Sequence, residues 1–132
     1  AALIPVTHRG LTQGFTVVSG HVPPGHPDST VDYAALAQAN TTIVLMMAVA
    51  NLEAISRALT EAGLDPDTPA AVIADGCLAS QRQVRATLAT IAQAARFARI
   101  GPPATTVIGA VAGFVPGRST ADSVQSIAVL QA

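Results

Sequence analysis

Two short apolar runs, each followed by a turn, place the strongest constraint on how this chain folds. The runs are "TTIVLMM" at 41–47 and "AAVIA" at 70–74. Each is continuous rather than alternating, which is typical of a strand covered on both faces of a sheet. After the first run, Asn51 is predicted to cap an amphipathic helix over 52–62 that ends at Gly63. This part of the chain therefore predicts a strand, a tight turn and a helix.

The segment before the first run predicts a strand, a loop and a short helix. "FTVVS" at 15–19 is rich in β-branched residues and favours a strand. Residues 20–30 contain three prolines and two glycines and predict a loop. Ser29 or Thr30 is then expected to cap one or two turns of helix within 31–39.

The second half of the chain leaves one choice open. Residues 81–99 fit either one long Ala-rich helix or a strand followed by a helix from about Leu88, and we favour the second interpretation. Residues 101–103, Gly-Pro-Pro, break the chain, and "ATTVIGAVAGF" at 104–114 predicts a last strand.

The alternation of strands and helices predicts an α/β domain in which helices pack on a single mixed or mainly parallel β-sheet. A chain of 132 residues is long enough for one domain with its own core. We expect that domain to span 1–116 and to be followed by a tail at 117–132. Half of the residues are apolar and only 11% are charged. The longest apolar runs reach about eight residues where about 20 are needed to cross a bilayer, so we expect a large interface rather than a membrane.

Charge and cysteine content exclude several classes of function. The net charge of −1 provides no overall attraction to nucleic acid, although all seven basic residues are Arg. Cys77 is the only cysteine, so no internal disulfide forms, which agrees with a reducing compartment. His21 and His26 have no cysteine or carboxylate at metal-ligand spacing, and we predict no metal. The first residues show no secretory signal, and we expect a cytoplasmic protein.

Five stretches, taken in order, resemble the C-terminal lobe of the tetrapyrrole methylases. They are "IPVTHRG", "VVSGH", "TTIVLMMAVANL", "AGLDPDTPAAVIADGCLASQR" and "PPATTVIGAVAGF". The resemblance covers about residues 3–115, and it is strongest to the members that methylate uroporphyrinogen III on carbon to make precorrin-2. No single motif is strong, but the order and spacing of all five are specific.

The resemblance implies a two-lobed enzyme that binds S-adenosyl-L-methionine in the cleft between its lobes. The N-terminal lobe, with a Gly-rich loop and a Gly-Gly-Asp loop, is missing from this chain. This lobe supplies the Met of a Tyr-Met-Gly turn and the Gly of an Asn-Gly-Thr turn, which correspond to Met47 and Gly76. Ala48 and Cys77 complete the cofactor-binding candidates, although the family has Gly and Thr there. A methyl group at Ala48 is expected to crowd any backbone angle that only Gly accepts.

The residues themselves leave two interpretations of these turns open. Met47 and Gly76 each follow the carboxyl end of a predicted buried strand, where ligands collect in open α/β sheets. A polarizable Met suits an adenine face, but a Met at the end of a strand also fits core packing, and Asp75-Gly76 also fits an ordinary turn. On the ligand hypothesis, the two turns lie next to each other and form one wall of an adenosine-shaped slot.

The resemblance also implies a substrate with eight carboxylates, for which Arg side chains are suited. Arg9 and His21 are the candidate substrate contacts. Four other Arg residues would share a face if residues 82–99 formed one helix, and we expect a solvated face rather than substrate contacts; they are Arg82, Arg85, Arg96 and Arg99. The high apolar content fits a homodimer. Two alternatives remain, which are another precorrin methyltransferase of the corrin pathway and a non-catalytic α/β dimerisation domain.

Overall fold

The structure is a computed structural model that describes residues 1–117, which form a single five-stranded mixed sheet. The spatial order of the strands is β1-β2-β5-β3-β4. Only β1 and β2 pair in parallel, and the other three pairs are antiparallel. The strands are β1 (Phe15–Ser19), β2 (Thr42–Met46), β3 (Pro69–Ala74), β4 (Arg82–Thr87) and β5 (Ala104–Ile108). The prediction of a single mixed sheet is confirmed, whereas the mainly parallel alternative is wrong.

The helices pack on one face of the sheet and share its larger core. They are α1 (Tyr33–Gln38), α2 (Leu52–Glu61) and α3 (Ile91–Phe97), and short 3-10 turns lie at Val49–Asn51 and Ala110–Gly113. In α2, the inward face consists of Leu52, Ile55 and Leu59, all at most 2% exposed. Their i, i+3, i+7 spacing is the amphipathic pattern that predicted the helix.

A smaller core covers the opposite face of the sheet. Residues 110–113 and the N-terminal segment pack there against Ala71, Ile73 and Val107. Cover on both faces leaves all of β3 buried, and it buries β2 from Thr42 to Leu45. This explains why both runs are continuously apolar, and it confirms the strands that they predicted.

Three local predictions differ from the structure or fall outside it. Neither Ser29 nor Thr30 caps α1, because Asp32 Oδ1 accepts the N–H of Ala35 at 2.9 Å. The predicted strand over 104–114 ends at Ile108, since Gly109 adopts a φ of 139° and a 3-10 turn follows. Residues 118–132, nearly all of the predicted tail, lie outside the described residues.

The open choice at 81–99 is settled in favour of a strand followed by a helix. β4 ends at Thr87, and α3 begins at Ile91 after Thr90. None of the helices formed by residues 1–117 combines the length and the hydropathy that a bilayer-spanning segment requires.

Candidate functional site

A large groove opens at one end of the strands, where β1, β2 and β3 end and β5 begins. Its volume is about 980 Å³. His21, Met47 and Gly76 all line it, so the structure brings together three of the predicted site residues. The rest of the lining is mainly apolar and comprises Met46, Val49, Ala50, Ile73, Asp75, Leu78, Ile100, Gly101, Pro102, Pro103, Ala104 and Thr105. In open α/β sheets, small ligands bind beyond the carboxyl ends of the strands.

Neither methionine of the pair packs in the core. Met47 is 62% exposed and Met46 is 42% exposed, so the core-packing alternative is wrong for both. Met46 Sδ accepts a hydrogen bond from Thr105 Oγ1 at 3.7 Å, which ties the end of β2 to β5. Met47 has a φ of 55°, in the left-handed region that side chains other than Gly and Asn seldom adopt. Residues held in this region concentrate at ligand sites.

The turn after β3 also contains a residue in the left-handed backbone region. Asp75 has a φ of 52°, and its backbone N–H donates to the carbonyl of Pro103 at 3.1 Å. A Cβ added to Gly76 would meet only Ile73 Cγ2, at 3.9 Å, and otherwise open space. The missing side chain at Gly76 therefore leaves room for a ligand to approach the backbone.

The two turns are not direct neighbours, contrary to the expectation of one continuous wall. β5 lies between β2 and β3, because it pairs with both in the antiparallel direction. Two interstrand spacings of about 4.8 Å therefore separate the ends of β2 and β3, after which Met47 and Gly76 follow. Both line the groove, as do residues 100–104, which lead into β5 between the two strands.

Ala48 does not line the groove, and its methyl group creates no backbone strain. Its φ is −101°, an ordinary value for any residue, and its side chain is only 1% exposed. The expected crowding at Ala48 is therefore wrong, because the turn does not need the freedom of Gly there. The position that requires Gly is Gly20 instead. An added Cβ there would lie 2.6 Å from Ala48 Cβ and 2.8 Å from Ile55 Cδ1.

The remaining predicted site residues have different surroundings. Cys77 is exposed beside the groove, and its backbone N–H donates to Gln81 Oε1 at 2.8 Å. Arg9 lies in the turn closed by the His8–Thr12 bridge, which precedes the amino end of β1. Since the groove is at the carboxyl end of β1, the structure does not bring Arg9 together with His21.

The Arg residues of β4 bind backbone carbonyls, which sequence patterns did not reveal. Arg82 donates to the carbonyls of Ala98 and Arg99 at 3.1 and 3.0 Å, just before the 100–103 wall of the groove. Arg85 donates to the carbonyls of residues 2, 112 and 114, and burial lowers the pKa of its guanidinium. The predicted solvated face is thus wrong for Arg85, whereas the Arg96 side chain is exposed and pairs with Glu53 at 2.8 Å.

The residues present fit the adenosine part of a methyl donor. The groove offers apolar surfaces for a flat ring and an open approach to the Gly76 backbone, and among residues 1–117 it is lined by only two ionisable side chains, His21 and Asp75. Within residues 1–117, no three His, Cys, Asp or Glu side chains are grouped so that they could hold a metal ion.

The fold and the groove define this chain as an α/β lobe with an apolar groove at its strand ends. A family model described as Tetrapyrrole (Corrin/Porphyrin) Methylases matches residues 1–92. The chain belongs to this family, and the resemblance noted in the sequence is confirmed.

Curated relatives include enzymes of two kinds. The chain is 42% identical over 110 residues to a uroporphyrinogen-III C-methyltransferase of Pseudomonas fluorescens, covering 83% of the chain and 43% of that protein. It is 43% identical over 108 residues to an S-adenosyl-L-methionine-dependent uroporphyrinogen III methyltransferase of Methanosarcina barkeri, covering 82% and 42%. It is 39% identical over 106 residues to siroheme synthase 1 of Halorhodospira halophila, covering 80% and 22%. The chain thus spans less than half the length of these relatives.

Solved structures show the same fold. A uroporphyrin-III C-methyltransferase from Thermus thermophilus, crystallised with S-adenosylhomocysteine, matches with a TM-score of 0.68 and 31% identity over 82% of the chain and 45% of that protein. The cobalt precorrin-4 methyltransferase CbiF matches with a TM-score of 0.74 and 22% identity, over 84% of the chain and 46% of that protein. At that identity, the second match establishes the fold alone.

Proposed function

We propose that this chain is the C-terminal lobe of an S-adenosyl-L-methionine-dependent uroporphyrinogen-III C-methyltransferase, whose product precorrin-2 serves sirohaem or cobalamin synthesis. One observation carries the proposal. Met47, in a left-handed backbone conformation, and Gly76, with open space where a Cβ would be, flank one apolar groove at the strand ends. The similarity to uroporphyrinogen-III methyltransferases supports this assignment.

The proposed task of this lobe is to hold the donor and to keep water away from it. When bound, S-adenosyl-L-methionine supplies a methyl group on a sulfonium for transfer to a pyrrole carbon. Met47 presents a polarizable, exposed side chain to the adenine face, and Gly76 admits the ligand to its backbone. Pro102 and Pro103 provide apolar surface between the two turns. Such a site works mainly by fixing the reactants in attack geometry.

His21 and Arg9 remain the proposed contacts for the carboxylates of the tetrapyrrole. The proposed role is better supported for His21 than for Arg9, because His21 lines the groove. Arg9 would have to reach the substrate from outside the groove, with the help of the other lobe. Because the chain spans less than half of its relatives, we propose that the N-terminal lobe is needed for activity.

We propose that the protein assembles as a homodimer. Phe15 and Val17 are 51% and 53% exposed on edge strand β1, and such exposed apolar side chains support a homodimer. We also propose a cytoplasmic location, a lobe at 1–116 and a separate tail at 117–132. The chain matches only 22% of the length of siroheme synthase 1, which supports the proposal that a lobe of this kind also occurs in longer proteins.

The test uses the full-length protein that contains this chain. Uroporphyrinogen III and methyl-labelled S-adenosyl-L-methionine should yield labelled precorrin-2, and calorimetry should detect S-adenosylhomocysteine binding. Labelling of a later precorrin instead of uroporphyrinogen III would favour another methyltransferase of the corrin pathway. A protein that dimerises but binds no S-adenosylhomocysteine would refute the proposal in favour of a dimerisation domain.

A further inference from the structure

The side chain of Asn51 joins two segments of the groove that are distant in sequence. Asn51 Nδ2 donates to the carbonyls of Gly20 and His21, both at 2.8 Å. Its backbone N–H donates to the carbonyl of Ala48 at 2.9 Å, within the turn that follows Met47. One residue thus links the loop that carries His21 to the turn that carries Met47.

This role differs from the helix cap that the sequence predicts. Asn51 does stand at the start of α2, but its side chain makes no capping hydrogen bond to the helix. Both amide hydrogens of Nδ2 are used on the carbonyls of residues 20 and 21, about 30 positions earlier in the chain. The side chain therefore binds the backbone of the loop and does not cap the helix.

The contact between the loop and the turn is close and specific. The N–H of Gly20 donates to the carbonyl of Met46 at 2.8 Å, which continues the pairing of β1 and β2 by one bond. Gly20 also packs against Ala48 at a distance that excludes any Cβ. Beyond Gly20 the loop leaves the sheet, and the His21 backbone is held by Asn51 Nδ2 at its carbonyl, at 2.8 Å, and by Ser19 Oγ, which accepts its N–H at 3.4 Å.

We propose that Asn51 is a positioning residue that holds the Gly20–His21 backbone against the Met47 turn and so forms this side of the groove before a ligand binds. The inference rests on the proposed function, because it names how the donor groove is kept in shape. Ordering the backbone of one residue costs conformational entropy. Without Asn51 the ligand must meet that cost on binding, and its affinity falls.

The experiment measures S-adenosylhomocysteine binding to the full-length protein by calorimetry, with two variants of Asn51. Asn51→Ala removes the amide, and Asn51→Ser keeps a good residue for a helix start but cannot span both carbonyls. A positioning role predicts that both variants bind about tenfold more weakly. A capping role predicts that Asn51→Ser behaves like the wild type, which would overturn the inference.

Ile108→Val controls for a general loss of stability. Ile108 is fully buried at the far end of β5 and does not line the groove, so its truncation lowers stability without changing the groove lining. We expect this variant to bind S-adenosylhomocysteine within twofold of the wild type. Equal weakening by Ile108→Val and Asn51→Ser would overturn the inference, since stability alone would then explain both.

Hydrogen exchange gives a readout that does not depend on a ligand. In both Asn51 variants, peptides covering residues 20–30 should exchange severalfold faster, whereas the Ile108→Val variant should leave them unchanged. Wild-type protein that binds no S-adenosylhomocysteine would overturn the proposed function and this inference together. Wild-type binding with unchanged affinity in both Asn51 variants would overturn this inference alone.

Discussion

Gly76→Ala separates the ligand role of the second turn from a role in the fold. The added Cβ would meet only Ile73 Cγ2, at 3.9 Å, which is an ordinary van der Waals contact. The φ of Gly76 lies outside the left-handed region, so Ala adopts it without strain. The substitution should change the free energy of unfolding by less than about 1 kcal/mol, in the stabilising direction, because Ala restricts the unfolded chain.

The same methyl group should interfere with the ligand. It would stand at the groove, where we propose that adenosine approaches the backbone of Gly76. A loss of about 1.4 kcal/mol of binding free energy corresponds to a tenfold weaker affinity for S-adenosylhomocysteine. We therefore expect weaker binding from a protein that is at least as stable as the wild type.

Gly20→Ala is the matched control, since it makes the same chemical change in a packed position. Its Cβ would lie 2.6 Å from Ala48 Cβ and 2.8 Å from Ile55 Cδ1, so both neighbours must shift. Overpacking of this kind costs about 1–3 kcal/mol of stability. Urea unfolding and calorimetry on the full-length protein measure both quantities for both variants. If Gly76→Ala binds S-adenosylhomocysteine as the wild type does, or loses as much stability as Gly20→Ala, the assignment of Gly76 to the groove is refuted.

Further predictions concern stability and its dependence on pH. Tyr33→Phe should raise the free energy of unfolding by about 1 kcal/mol at pH 7, because the buried Tyr33 hydroxyl has no hydrogen-bond partner within residues 1–117; urea titration showing a clear loss would contradict this. Burial raises the pKa of Tyr33, so the unfolded chain releases this proton first, and stability should fall as the pH rises past about 10, less steeply in Tyr33→Phe. Arg85→Met should lower stability by about 2 kcal/mol and speed hydrogen exchange in residues 1–12, since it removes the bond to the Ala2 carbonyl; unchanged exchange there would show that the segment is held by packing alone. Glu53→Gln, which breaks the exposed pair with Arg96, should change stability by less than about 0.5 kcal/mol in the same titration.

Much of the secondary structure could be predicted because its signals are local. The continuous apolar runs indicated strands buried on both faces, and the spacing of Leu52, Ile55 and Leu59 indicated the inward face of α2. The ends of elements were less certain. Asp32, rather than Ser29 or Thr30, caps α1, because several polar residues in a row offer equivalent caps and only the backbone path selects one.

The candidate site was located by combining the resemblance with the position of each turn after a strand. Met47 and Gly76 both line one groove, but no sequence signal indicated that β5 lies between their strands. The Gly-Pro-Pro break before β5 was visible in the sequence, and all three of its residues line the groove. Nothing in the local pattern indicated which strands it would separate.

The sequence by itself determined where strands and helices form, which residues face inward, and which family the chain resembles, because hydrophobic periodicity and short motifs act between residues close along the chain. The tertiary structure decided the strand order, the shape of the groove and the partners of its polar side chains. Asn51 binds a carbonyl 31 positions away, and Arg85 binds one 83 positions away. Such hydrogen bonds arise only when packing of the sheet and helices brings distant segments together, so they leave no periodic trace in the sequence.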